Sequence, residues 1–252
     1  MAAAAVGFQC PECVAAGRAA VRTPTSLLGG RATDKPRVTM ALIGINVVVF
    51  AVGLVLGSSG ELIRQYGMWP VGIALYGEWW RLLTAAFLHG GLLHIAFNMY
   101  VLYAIGPVLE RALGSARYLV LYLLAAAGGS VASYAFSAPN TLSVGASGAI
   151  FGLMAALLVV GQRFRHDISQ VAILLAVNIG IGFIVPGIDW RAHLGGALAG
   201  AAVAAVMAYA PKQSRVLWQT FGVLAVALVL ILVTTWRTAQ LQAAFGSLVG
   251  LG

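Results

Sequence analysis

Five polar side chains stand among apolar neighbours, and their types suit one kind of reaction. Ser147 lies in Gly145-Ala146-Ser147-Gly148, and His193 lies in Ala192-His193-Leu194-Gly195-Gly196. A serine hydroxyl becomes a nucleophile when a neutral imidazole within hydrogen-bond reach takes its proton. His94 and Asn98 are spaced i, i+4, so on a helix both point the same way. An Asn amide and a His ring nitrogen can each donate a hydrogen bond. With the Ser147 N–H they suit an oxyanion hole. His89 falls off that face and is expected to order the chain around it. The rival use of these groups is a metal site, because three histidines (His89, His94 and His193) can hold zinc. No carboxylate or fourth ligand is evident beside them, and a metal site leaves Ser147 without a task.

The elements that carry these groups are marked by glycine. His193, Gly196 and Gly200 are spaced i, i+3 and i+7 and share one helix face. Gly148 and Gly152 form a matching small-residue pair after Ser147, and such pairs let membrane helices approach closely. One face begins with the hydroxyl and the other with the imidazole, so packing them brings the two together. Phe151, four residues after Ser147, is placed to pack on the imidazole. Gly145 permits a tight turn. The first turn of a helix starting at Ser147 offers unpaired N–H groups and the positive end of the helix dipole.

Composition names the solvent. Of 252 residues, 61% are hydrophobic and 9% charged, against about 25% charged in soluble domains. Apolar segments lie near 39–57, 92–110, 116–136, 147–162, 169–185, 192–210 and 216–236. The expectation is an all-α, multi-pass membrane protein with the lipid bilayer as its surroundings. The net charge of +8 comes from residues between the spans, which excludes a nucleic-acid partner. It also orients the chain. With the N-terminus cytoplasmic, Arg18, Arg22, Arg31, Lys35, Arg37, Arg111, Arg117, Arg163, Arg165, Lys212 and Arg215 lie inside. Arg64, Arg81, Arg191 and Arg237 lie outside, so the split is 11 against 4, a positive-inside bias.

Even-numbered spans then run inward, and all five polar residues fall at their outer ends. Helix rise puts Ser147 roughly 6 Å below the outer boundary of a hydrocarbon core about 30 Å thick. The stretch Thr141–Ala146 must therefore dip into the membrane. Irregular backbone is tolerated there only inside protein or beside a water-filled cavity. A wet pocket opening to the extracytoplasmic side follows. The connection 58–91, with Tyr66, Trp69, Tyr76, Trp79 and Trp80, has the aromatic content of a membrane-interface segment. No cleavable leader is visible at the start, so the first span is expected to serve as an uncleaved signal.

These residues resemble the rhomboid family of intramembrane serine proteases, in its bacterial six-plus-one form. The matching pieces are Trp80-Arg81, His89…His94…Asn98, Gly145-Ala146-Ser147-Gly148, His193-Leu194-Gly195-Gly196 with Gly200, and Glu110 at the inner end of the second span. The resemblance implies a six-helix catalytic core over 39–210, with a seventh helix and tail over 211–252. It implies a serine endopeptidase in which Ser147 attacks and His193 serves as base, without an obligatory acid, so Asp189 is read as a loop residue. His94, Asn98 and Ser147 would form the oxyanion hole. The implied substrates are membrane proteins with a single transmembrane helix, cut near the outer face of the cell membrane. No cofactor is implied. The fifth span and Val185–Arg191 resemble the family's mobile gate and cap.

Residues 1–38 read as a polar cytosolic arm carrying Cys10-Pro11-Glu12-Cys13. Two cysteines are half of a four-ligand zinc site, and the chain has only two. The arm is then truncated, completed by a partner, or vestigial, and a disulfide is disfavoured in the cytosol. Two other functions fit a polytopic chain. An inactive rhomboid-like protein that binds membrane clients would typically lack the Ser or the His. A transporter would favour acidic residues at the midplane and inverted repeats. Here the acidic residues sit outside the span interiors, and no repeat is evident.

Overall fold

A computed structural model of the chain describes residues 2–3, 8–20, 25–185 and 187–246. Arg22, Pro186 of the expected cap, and the tail beyond Gly246 lie outside the described residues. Apart from an antiparallel pair of two-residue strands, β1 (Ala2–Ala3) and β2 (Phe8–Gln9), the described elements are helical. Five helices are long and apolar enough to cross a membrane. They are α2 (Arg37–Val55), α6 (Leu92–Leu113), α7 (Ser115–Phe136), α10 (Trp190–Tyr209) and α11 (Arg215–Phe245). Two shorter apolar helices complete the bundle, α8 (Ser147–Arg163) and α9 (Ser169–Ile184). The all-helical membrane fold expected from composition is the fold observed.

Helices α7, α8 and α10 form the centre. Their contact surfaces are built from small residues, and each carries glycine where a neighbouring backbone passes. A methyl group on Gly196 would strike the Gly148 carbonyl, and one on Gly200 would strike the Gly152 backbone. Gly129 of α7 lies against the same seam, since its added methyl would sit 2.8 Å from the Ala192 carbonyl and 3.1 Å from Gly148. The outward faces of α2, α6, α9 and α11 are apolar and exposed, with Val48, Phe97, Ile173 and Leu232 among them. In water those faces would be costly; in lipid they meet their own kind.

Glu110 binds the start of α2, the end of α6 and the start of α7 together. Its carboxylate is fully buried. It accepts hydrogen bonds from the Val38 N–H (3.0 Å), the Thr39 N–H (2.9 Å) and hydroxyl (2.8 Å), and the Ser115 hydroxyl (2.7 Å). The first two donors are unpaired amides of the first turn of α2, so Glu110 caps that helix from another. One side chain thereby fixes α2, α6 and α7.

Three features are absent from the sequence expectation, and each has a physical cause. The connection 58–91, read only as an aromatic interface segment, is largely helical. It folds into α3 (Ser59–Tyr66), α4 (Pro70–Tyr76) and α5 (Arg81–Thr84), followed by a 3-10 turn at Ala85–Phe87. Helices of one or two turns are too short to show periodicity. Pro70 starts α4, and Gly77, at φ 70°, ends it. Second, the described part of the arm is ordered. Pro11–Ala20 forms α1, and the stretch after Thr25 packs on the end of α6 and the start of α11. There the Leu28 N–H donates to the Ala112 carbonyl (3.1 Å), and the Gln219 amide donates to the Leu28 carbonyl (3.2 Å). Third, α11 continues to Phe245, well past the expected end at 236. Its extra turns carry Arg237, Thr238 and Gln242 to partners on α7 and α4.

Candidate active site

Ser147 begins α8 and His193 sits in the first turn of α10. The glycine seam holds the helices so close that Ser147 Oγ lies 2.9 Å from His193 Nε2. For Nε2 to accept the hydroxyl proton, the neutral ring carries its own proton on Nδ1. His193 is buried, and its Nδ1 has no hydrogen-bond partner among the described residues. The ring plane is set instead by Phe151, which stacks on it with centroids 4.0 Å apart and planes 13° apart.

The chain reaches Ser147 through Gly145, whose φ of 133° suits glycine rather than a residue with a Cβ. A Cβ there would also meet His94 Nε2 at 2.7 Å. The approach loop is fastened to the aromatic connection. Met68 and Ser143 exchange two backbone hydrogen bonds, and the Gly145 N–H donates to the Ala85 carbonyl at 2.9 Å.

His94 and Asn98 face the same space from α6. The Gly90 N–H points to His94 Nδ1 at 3.4 Å, which leaves the proton on Nε2, beside Gly145. The Asn98 amide nitrogen donates one hydrogen to the His94 carbonyl at 2.9 Å and has a second to give. Together with the N–H groups opening α8, these are donors on the wall of one cavity. All four residues line a cavity of about 900 Å³, also walled by Phe97, Met154 and Ile188. Its size is that of a ligand cleft.

The supporting residues have separate tasks. His89 is buried and packs edge-on against His94, with centroids 5.0 Å apart, and among the described residues neither of its ring nitrogens has a hydrogen-bond partner, so the expected ordering of the loop has no hydrogen bond behind it. Arg81 is buried in the connection. It pairs with Glu78 at 2.6 Å, donates to the Arg64 and Gly67 carbonyls at 2.7 and 2.8 Å, and lies over the Trp69 ring. Trp80 is half-exposed on the outside of that connection. Glu110 stands at the end of α6 described above and does not line the cavity. Cys10 and Cys13 are exposed and free, with the sulfurs 2.7 Å apart. Among the described residues, no group of three or more His, Cys, Asp or Glu is placed to hold a metal.

Two things were missed in the sequence. Gly129 of α7 is a third member of the seam, and its signal was the Gly128-Gly129 pair within a span. Asp189 is no simple loop residue. It caps α10, accepting from the Ala192 N–H at 3.2 Å and from the Ser133 hydroxyl.

Fold and site together define a helical membrane protein with a serine–histidine pair at the head of two glycine-packed helices. The rhomboid domain model matches residues 76–210, and the chain belongs to the rhomboid family. It is 39% identical over 180 residues to the rhomboid protease GluP of Bacillus subtilis, covering 69% of this chain and 35% of that protein. It is 38% identical over 130 residues to the putative rhomboid protease YdcA of the same organism, covering 49% of this chain and 65% of that protein. With the rhomboid protease AarA of Providencia stuartii it shares 27% identity over 228 residues, 77% of this chain and 81% of that protein. The match therefore spans only about a third of GluP.

Proposed function

We propose that the chain is an intramembrane serine endopeptidase working through a Ser147–His193 dyad. The observation that carries this is the 2.9 Å approach of Ser147 Oγ to His193 Nε2 inside a cavity. His193 takes the hydroxyl proton as Ser147 attacks the scissile carbonyl. The oxyanion is held by the Ser147 N–H, Asn98 and His94. The imidazolium returns its proton to the leaving amine, and water, activated by the same ring, hydrolyses the acyl-enzyme. Gly145, Gly148, Phe151, Gly196 and Gly200 keep the dyad in register, and Trp80, Arg81, His89 and Glu110 hold its frame.

The catalytic unit is the six-helix core, residues 39–210. The substrates are membrane proteins with a single transmembrane helix, which must unwind locally to present a peptide bond. The chain lies in the cell membrane with its N-terminus cytoplasmic and its cavity open outward, as its basic residues favour. Helix α9 supports a gating role, because Gly182 is its one buried residue and it is thinly packed on the core.

The test is labelling by a fluorophosphonate probe in membranes. Wild type is expected to label, Ser147→Ala to lose the label, and His193→Ala to label far more slowly. An unchanged signal in Ser147→Ala overturns the proposal.

A further inference from the structure

Among the described residues the buried His193 Nδ1 has no partner, so no second hydrogen bond aims the imidazole. Its position depends on Phe151 and on where α10 begins. Asp189 decides the second. Among the described residues lining the cavity it is the one carboxylate. Its Oδ1 accepts the Ala192 N–H at 3.2 Å, capping the first turn of α10. Its main-chain carbonyl accepts the His193 N–H, also at 3.2 Å. Its Oδ2 accepts the hydroxyl of Ser133, a fully buried residue of α7. Ser133 in turn lies 3.3 Å from the Ser137 hydroxyl. The turn that carries the imidazole is thus tied by one side chain to the neighbouring helix.

We infer that Asp189, anchored by Ser133, is the positioning residue of the site: it fixes the first turn of α10 so that His193 meets Ser147. This rests on the dyad proposed above. Asp189 does not touch His193 Nδ1 and is not the third member of a triad. The titratable groups acting on the imidazole are Asp189 from its own helix and His94 from α6. A charge effect must therefore be separated from a positional one.

Asparagine makes that separation, since its side-chain oxygen caps a helix as well as a carboxylate does but carries no charge. Asp189→Ala, Asp189→Asn and Ser133→Ala are compared in the full-length protein. Cleavage of a single-span reporter in membranes is followed, with hydrogen–deuterium exchange over residues 190–196. Asp189→Ala is expected to lower kcat about 10²-fold, the scale of a small misplacement of reacting groups, with KM little changed. Exchange in the first turn of α10 rises. Asp189→Asn restores both kcat, to within about threefold of wild type, and the slow exchange of the first turn. Ser133→Ala falls between the two.

If kcat and exchange in Asp189→Ala stay within twofold of wild type, the inference is wrong. It is equally wrong if Asp189→Asn, with its first-turn exchange back at the wild-type level, is as slow as Asp189→Ala, for then charge and not position is at work. Should wild type neither cut the reporter nor take the probe, the protease proposal fails. The exchange data still report on the cap alone.

Discussion

Gly152 on α8 and Gly200 on α10 lie backbone to backbone, with no room for a methyl group on Gly200. Helices in lipid gain no hydrophobic drive from meeting each other, so close packing of this kind holds them. The distance between Ser147 and His193 is set by this contact several residues further down. Gly200→Val is expected to cost at least about 2 kcal/mol, by overpacking a filled interior. It should also lower turnover about 100-fold or more, because catalysis tolerates little displacement. Thermal unfolding in detergent and reporter cleavage measure the two effects. Wild-type turnover in a folded Gly200→Val protein would contradict the seam as the spacer.

Asn98 has one amide hydrogen committed to the His94 carbonyl and one free for the cavity. Loss of a single oxyanion donor typically costs about 10²–10³ in kcat. Asn98→Ala is expected to lose that much with KM almost unchanged, since the interaction strengthens only as charge develops. A rise in KM at constant kcat would make Asn98 a substrate-binding group instead.

Glu110 carries four hydrogen bonds in a fully buried carboxylate. Glu110→Ala strands the first-turn amides of α2 and opens a void, so a loss of roughly 3 kcal/mol is expected. Because Glu110 lies away from the cavity, the protein that remains folded should label with fluorophosphonate normally. Unfolding midpoints and labelling extents, compared at low temperature, test both halves.

Arg237, beyond the expected end of the last span, donates to the Tyr134 and Ser137 carbonyls at 3.3 and 3.1 Å. Those carbonyls are at the end of α7, where the loop toward Ser147 starts. Nearby, the Tyr134 and Thr238 hydroxyls are 2.7 Å apart, and Gln242 reaches the Ala74 carbonyl at 2.9 Å. Arg237→Ala should loosen that loop, seen as faster amide exchange across residues 137–146, and should slow turnover about tenfold. Exchange unaltered in that loop would reduce α11 to a lipid-facing addition.

Cys10 and Cys13 lie outside the helices long and apolar enough to cross a membrane, and they differ in acidity. The two sulfurs share a hydrogen bond, and the Cys13 N–H donates to Cys10 Sγ at 3.1 Å; together these hold the Cys10 thiol below the usual range, while the shared hydrogen bond raises Cys13. A lowered thiol has more thiolate at a given pH, and thiolate is the reactive form. With the chain fully reduced, near neutral pH, iodoacetamide is expected to modify Cys10 first. Mass spectrometry of the arm peptide over time gives the order, and equal rates would remove the asymmetry.

The sequence by itself determined the solvent, the approximate spans and the glycine faces. These are local properties, written as composition and as spacing at i, i+3 and i+4. Ser147 with Gly148 and Gly152, and His193 with Gly196 and Gly200, could be read as two faces made to meet. The tertiary structure alone decided what depends on contacts far apart in the chain. Glu110 caps a helix that begins about seventy residues earlier. Arg81 is buried in a web of short helices too brief for any period. Arg237 braces a loop a hundred residues back, and Asp189 takes its anchor from Ser133 on another helix. A hydrogen bond needs its partner within about 3 Å, and the spacing of a sequence does not say which distant residue comes that close.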